Sequence, residues 1–315
     1  MWGRRTATWL DELRPKPDAV IIYGGAAVFA SHVIRWARGN GAYAIVDAVE
    51  WYDATHQPGG RFGPFAMTNE IAMRSVLPRA GNVVAISSFL AEHFRASGCH
   101  VMTVPPTTDV MNLPARLEHG GGPLRLAYAG VPGRKDLLGN VIAAVARVHA
   151  QRPGAGPRLD VAGVTGEEIW ATPGLGDLGP EATASWLTPH GRIDRSAATN
   201  LIRSADFMPL LRPNARYAHA GFPTKVVESL SLGTPVLGNL TSDLGSYLVD
   251  GRNAVLCPDH SVAAVVDALT RALALSTSEL SDMRHAARFT AEQSFDYRVH
   301  VESVKAFLED LQPLR

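Results

Sequence analysis

The segment FPTKVVESLSLGTPVL spans residues 222–237. Its proline stands where the first turn of a helix tolerates a missing N–H. Val226, Val227 and Leu230 recur at helical spacing, Gly233 stops the helix, and 235–237 starts a buried strand at once. A helix that feeds directly into a short apolar strand is the join repeated in α/β folds built on parallel sheets. We therefore expect an α/β chain of that type, and the pattern extends in both directions.

Upstream, apolar runs at 124–129, 158–161, 185–189 and 206–210 lack polar alternation, as strands covered on both faces do. A further strand is expected at 254–256, and helices at 135–150, 196–203, 223–231, 262–274 and 278–292. Earlier still, strands are expected at 19–23, 43–46, 83–86 and 100–104. Helices at 28–38, 65–77 and 89–96 alternate with them, the last capped by Ser88. Between the two series lie Pro105-Pro106 and Gly120-Gly121-Gly122, the punctuation of a boundary between compact units. The expected organisation is a first Rossmann-like domain over residues 1–118 and a second over 119–293, their parallel sheets facing a cleft. A C-terminal helix within 294–315 is expected to cross back to the first domain. That domain offers four strands against six, and no strand with a glycine-rich loop precedes Ala19, so it is expected to be incomplete.

The 315 residues carry 30 basic and 30 acidic side chains, and 46% of them are apolar. Zero net charge speaks against nucleic acid as the main partner. No apolar run reaches the roughly 18 residues of a spanning helix, and the polar start Met1-Trp2-Gly3-Arg4-Arg5 is unlike a signal peptide. The expected location is the cytoplasm, with peripheral association at the inner membrane face left open. Cys99 and Cys257 lie far apart and read as buried thiols.

In an open parallel sheet, ligands sit beyond the carboxyl ends of the strands. After the strand at 124–129 comes Gly130-Val131-Pro132-Gly133-Arg134-Lys135, an open turn leading into a helix near Lys135. Arg134 and Lys135 would add full charge to the positive end of the helix dipole, which suits a diphosphate. A solvated turn with two surface cations is the plain alternative. At the start of the 223–231 helix, Thr224 and Lys225 point donors outward, and Glu228 follows Lys225 on the same face. A carboxylate there can accept two hydroxyl hydrogen bonds from a ribose. Otherwise the pair is an exposed ion pair, worth roughly a few tenths of a kcal/mol. In the first domain, the strand at 43–46 runs into Asp47-Ala48-Val49-Glu50-Trp51-Tyr52-Asp53. Aromatic faces stack on sugar rings and carboxylates accept from sugar hydroxyls. Glu50 and Asp53 are therefore the candidate catalytic bases or orienters of an acceptor hydroxyl. The alternative is that Trp51 and Tyr52 pack into the domain while the carboxylates are solvated.

Taken in order, LRLAYAGVPGRKDLLGNVIAAV (124–145), HGRIDRSAATNLIRSADFMPLL (190–211) and GFPTKVVESLSLGTPVLGNLTSDLGSYLVDGRNAVL (221–256) carry a resemblance. They resemble the C-terminal domain of the retaining GT-B glycosyltransferases of family 4. The resemblance implies transfer of a sugar, with retention, from a nucleotide-diphosphate sugar to a glycan or lipid-linked saccharide, as in polysaccharide biosynthesis. It implies no cofactor and no metal ion, and no Asp-x-Asp motif is present. Lys135 matches the lysine that contacts the donor diphosphate, with Gly130 and Arg134 beside it. Gly191 and Ile193 match the stretch that holds the nucleobase. Thr224 and Lys225 match the loop and helix start beside the phosphates, and Glu228 matches the second glutamate of the family pair, which binds the ribose. The first glutamate belongs eight positions earlier, where this chain has Ala220. Arg212, Asn214, Arg216 and His219 are the polar candidates to contact the donor sugar in its place. Ala220 and the short first domain favour a competing reading, a non-catalytic nucleotide-sugar-binding or partner subunit of the same fold.

Overall fold

A computed structural model describes residues 3–24, 26–118, 121–172, 174–175 and 178–314. Gly25, and His119 and Gly120 of the expected linker, lie outside the described residues. The chain opens with α1 (Arg4–Glu12), β1 (Ala19–Tyr23), α2 (Ala27–Asn40), β2 (Tyr43–Ala48) and α3 (Pro64–Ile71). Next come β3 (Gly81–Ala85), α4 (Ser88–Ala96), β4 (His100–Thr103), β5 (Arg125–Ala129), α5 (Leu138–Gln151) and β6 (Arg158–Ala162). Two short helices, α6 (Gly166–Trp170) and α7 (Pro180–Thr183), precede β7 (Leu187–Gly191), α8 (Arg195–Ser204) and β8 (Met208–Leu210). The remainder is α9 (Arg216–Ala220), α10 (Thr224–Ser231), β9 (Val236–Asn239), β10 (Ala254–Cys257), α11 (Val262–Leu273), α12 (Thr277–Ser294) and α13 (Val301–Glu309).

The chain divides into two compact units. Unit 1 comprises Met1–Pro106, Ala215–Phe222 and His300–Arg315, and unit 2 comprises Thr107–Asn214 and Pro223–Val299. The boundary therefore falls after Pro106 and not at 118. The C-terminal piece of unit 1 begins at His300 and not at 294, and a short segment around α9 joins it. That segment belongs with unit 1 because Ala220 is fully buried in its apolar core and Arg216 binds Glu70 at 2.6 Å.

Unit 1 carries four parallel strands in the order β1-β2-β3-β4. Val20, Ile22, Val46 and Val83 face α2 and α4 in its core, as the continuous apolar runs require. Asn82 is fully buried and binds the C-terminal segment, donating to Gln312 O and accepting from Gln312 N, both at 2.8 Å.

Unit 2 holds two parallel three-stranded sheets, β5-β6-β7 and β10-β9-β8. A bridge between Leu126 and Phe207, with Ala127 N donating to Phe207 O at 3.1 Å, joins them. The combined order is β7-β6-β5-β8-β9-β10, so the winding reverses between β5 and β8. That reversal is the topological switch point, where the loops leaving the strand ends part and make room for a ligand.

Several local expectations shift. The helix expected from 135 begins at Leu138, because Lys135 N and Asp136 N both donate to Pro132 O at 3.2 Å and close a turn. The cap of α4 is Ser87, not Ser88: Ser87 Oγ accepts from Leu90 N at 3.3 Å. The strand expected at 185–189 sits two residues later, and the helix expected at 65–77 widens into a π-helical turn over Ala72–Val76. Among the described residues, no helix is long and apolar enough to cross a membrane.

Candidate functional site

At the switch point of unit 2, β5 ends on Ala129, followed by Gly130, and β8 on Leu210, followed by Leu211 and Arg212. Asp136, whose side chain is only 3% exposed, lies at the centre. Its Oδ1 accepts from Arg212 Nε, and its Oδ2 accepts from Lys225 Nζ and from Tyr128 Oη, each at 2.8 Å. Burial alone would raise the pKa of this carboxyl. The charges of Arg212 and Lys225, with hydrogen bonds from Lys225 and Tyr128, outweigh it and hold Asp136 below the ordinary aspartate value. Lys135 is half-buried beside them. Burial first, then repulsion from Arg212 and Lys225, lowers the pKa of its amine. Two cations thus share one buried carboxylate, and Lys135 lies close enough to feel the charge of all three.

Two backbone features hold this geometry. Arg212 N donates to Asn239 Oδ1 at 3.0 Å and Asn239 Nδ2 donates to Arg212 O at 2.8 Å, so the end of β9 fixes the loop after β8. Gly130 has φ +135°, and a Cβ there would lie 2.6 Å from Lys225 Cε. The lysine chain lies across the bare glycine, 5.3 Å from the centroid of Tyr128.

Lys225 is the second residue of α10, whose start no side chain caps. Glu228, one turn on, is exposed and lines a cavity of about 100 Å³ together with Lys225, Ala129, Arg195 and Thr199. Lys225 pairs with Asp136, so the bare Lys225–Glu228 ion pair is replaced by a buried one. Thr224 is exposed at the helix start. Gly191 ends β7 in the left-handed region (φ 63°), its carbonyl accepting from Gly163 N at 2.7 Å, and Ile193 is half-buried just beyond.

Arg134 is exposed and lines a depression that Asp136, Glu168 and Thr172 also line, and neither it nor Lys135 begins a helix. His219 lies on α9, within the segment that packs with unit 1. Ala220 is fully buried there, its carbonyl accepting from Ser87 Oγ at 2.7 Å, so no carboxylate could stand at that position without displacing the core.

On the loop after β2, Trp51 is 3% exposed and is a core residue rather than a stacking surface. Its Nε1 donates to Glu70 Oε1 at 3.0 Å, and the Arg216 guanidinium lies 4.6 Å from its ring centroid. Asp53 caps a short 3₁₀ turn, accepting from Thr55 N at 2.8 Å and Thr55 Oγ1 at 2.6 Å. Glu50 is half-buried and lines a small recess with Asp47 and Asn69.

Sequence reasoning missed Asp136, Tyr128 and Asn239. The acid directly after Arg134-Lys135 was visible, but only folding shows that it gathers the cations from three separate segments. Among the described residues, no three His, Cys, Asp or Glu side chains group as a metal site.

No family model matches the chain, and no curated protein matches it in sequence. Among solved structures it is similar to sucrose-phosphate synthase (tll1590) from Thermosynechococcus elongatus. The identity is 15% and the TM-score 0.69, over 92% of this chain and 73% of that one. It is similar to the pneumococcal O-GlcNAc transferase GtfA in complex with UDP and GlcNAc, at 15% identity and TM-score 0.69, over 98% of this chain and 60% of that one. It is likewise similar to Anabaena Alr3699/HepE in complex with UDP and glucose, at 14% identity and TM-score 0.69, over 98% and 82%. The fold is thus α/β with parallel sheets, that of the GT-B glycosyltransferases.

Proposed function

We propose that this chain is a glycosyltransferase whose unit 2 binds a nucleotide-diphosphate sugar. The observation that carries the reading is the gathering of Arg212, Lys225 and Lys135 around one buried carboxylate at the switch point, with Glu228 on the cavity that Lys225 also lines. Lys225 spends one of its three N–H donors on Asp136 and Arg212 spends its Nε. Their remaining donors suit the oxygens of a diphosphate, and Glu228 suits the hydroxyls of a ribose. As the glycosidic bond breaks, charge grows on the leaving diphosphate, and fixed cations in a partly dry site stabilise that charge without reorganising. In this reading the cations, and not a divalent ion, neutralise the leaving group. UDP is the first nucleotide to test, since GtfA and HepE are described with it. Transfer of a hexose with retention to a glycan or lipid-linked saccharide, as in family 4, is the finer form of the proposal.

A second reading, a non-catalytic nucleotide-sugar-binding or partner subunit, draws support from the buried Ala220. The similar protein GtfA is also described in a GtfA/B complex. Calorimetry with UDP, followed by assay of free nucleoside diphosphate released from UDP-, GDP-, ADP- and dTDP-sugars, separates the readings. Binding with release, in the presence of a saccharide acceptor, supports the transferase, and binding without release supports the partner subunit. Lys225→Ala is expected to weaken UDP binding about ten- to a hundredfold, the worth of a charge-assisted hydrogen bond. Failure of every nucleoside diphosphate to bind the wild-type chain would overturn both.

A further inference from the structure

Three pieces of chain outside the sheet wall the cavity that Lys225 and Glu228 share. They are α8 through Thr199 and Ile202, α10 through Lys225 and Glu228, and the chain before β5 through Thr108 and Leu113. No residue of α12 lines that cavity. Two arginines of α12, Arg284 and Arg288, stand one turn apart and reach all three pieces. Arg284 is 1% exposed. Its guanidinium donates to Arg203 O at 2.8 Å and to Ala205 O at the end of α8, and to Arg116 O at 2.9 Å. Arg288 Nη1 donates to Ser231 O at the end of α10 and to Leu113 O at 3.1 Å, while its Nε binds Glu292. Arg116 closes the set, donating from Nη1 to Ser204 O at 2.9 Å and from its backbone N to Leu232 O at 3.1 Å.

The last carbonyls of a helix have no partner inside it and carry the negative end of its dipole. Here arginines meet those of α8 and of α10. Asp206 stands 3.9 Å from Arg284, beyond hydrogen-bond reach, so carbonyls take the donors of the buried guanidinium. Burying such a group is costly, and an apolar side chain would fill the space without that penalty. What the arginines supply is fixed geometry, since each joins a helix end to the chain before β5. Gly233 allows the close approach: a Cβ there would lie 2.7 Å from Arg116 O.

We propose that Arg284 and Arg288 are positioning residues for this cavity: from behind its walls, they set the spacing of α8, α10 and the 108–116 segment, and with it the width of the space the ligand enters. That the ligand is a nucleotide diphosphate rests on the transferase reading above.

The test compares Arg288→Met, which keeps the aliphatic stem and loses the guanidinium, with Val265→Ala, a core change in α11 that does not line the cavity. Urea unfolding sets conditions in which both full-length variants are folded. UDP is then titrated by calorimetry, and hydrogen exchange is read without ligand. Arg288→Met is expected to weaken UDP binding about tenfold, as a small misplacement of a site wall does, and Val265→Ala to leave it unchanged. Arg288→Lys, which restores a charged donor, is expected to bind UDP more tightly than Arg288→Met. Amides within 113–117 and 225–232 should exchange faster in Arg288→Met alone. Equal UDP binding by Arg288→Met and wild type overturns the proposal, as does equal weakening by Arg288→Met and Val265→Ala, the mark of a purely structural role. If the wild type binds no UDP, the nucleotide reading fails and exchange decides for the arginines. Faster exchange of both segments in Arg288→Met but not in Val265→Ala upholds their positioning role, and unchanged exchange overturns it. Should Arg288→Met not fold, Arg288→Lys against wild type carries the same comparisons.

Discussion

Asp136 accepts hydrogen bonds from Tyr128, Arg212 and Lys225 while almost wholly buried, and together these partners hold its pKa below the ordinary aspartate value. A lone carboxylate in that position would take up a proton to escape the cost of desolvation. Asp136→Asn leaves two partly buried cations short of their counter-charge. It is expected to destabilise unit 2 by about 3 kcal/mol in urea unfolding. It should also weaken UDP binding even though the cluster becomes more positive, because Lys225 loses the anchor that aims it. Tighter UDP binding by Asp136→Asn would mean that the carboxylate competes with the ligand instead of positioning its partners. The pH dependence has a fixed sign. The folded pKa of Asp136 lies below its unfolded value, so its stabilisation is fully present above the unfolded value near pH 4 and fades as pH falls through the lower folded one. Asp136→Asn should therefore flatten the acid limb of the stability curve. Tyr128→Phe removes one hydrogen bond to a buried charge and should cost about 1.5–3 kcal/mol in the same unfolding assay.

At the scale of elements, Gly130 couples β5 to α10. Its positive φ keeps the strand end in a region that L side chains avoid, and the missing Cβ leaves the path that Lys225 occupies. Gly130→Ala is expected to displace Lys225 and weaken UDP binding at least about tenfold, read by calorimetry. Normal binding by that variant would show that the lysine reaches the ligand by another route. The helix and strands around this point were legible because apolar runs and Pro/Gly punctuation act locally: 222–237 reads as helix then strand from sequence alone. The start of α5 was not legible. Arg134-Lys135-Asp136 looks like the first turn of a helix until Pro132 O takes both amides and Asp136 turns inward. The aromatic loop after β2 misled for a similar reason. Trp51, Tyr52 and Tyr23 are equally apolar in sequence, and only tertiary packing decides that the tryptophan goes under Arg216 while Tyr23 stays bare. Glu228 on the lining of a cavity with Lys225 was visible in advance, because i and i+3 share a face of any helix.

At the scale of the whole molecule, each unit has its own apolar core, one built around β1–β4 and the other around β5–β10. Separate cores mean that a ligand held by residues of one unit stabilises that unit first. UDP at a hundredfold excess over its dissociation constant should add about 2.7 kcal/mol to the unit that binds it. Hydrogen exchange resolves where that energy goes. Amides at 129–136, 210–213 and 224–229 are expected to slow on adding UDP, because they lie on the strand ends and the helix start that hold the cations. Glu228→Ala should abolish the UDP effect, since Glu228 lines the cavity that Lys225 also lines and is assigned to the ribose. Protection by UDP confined to β1 and β2 would place the nucleotide in unit 1 and remove the physical basis for reading Arg212, Lys135 and Lys225 as its cradle.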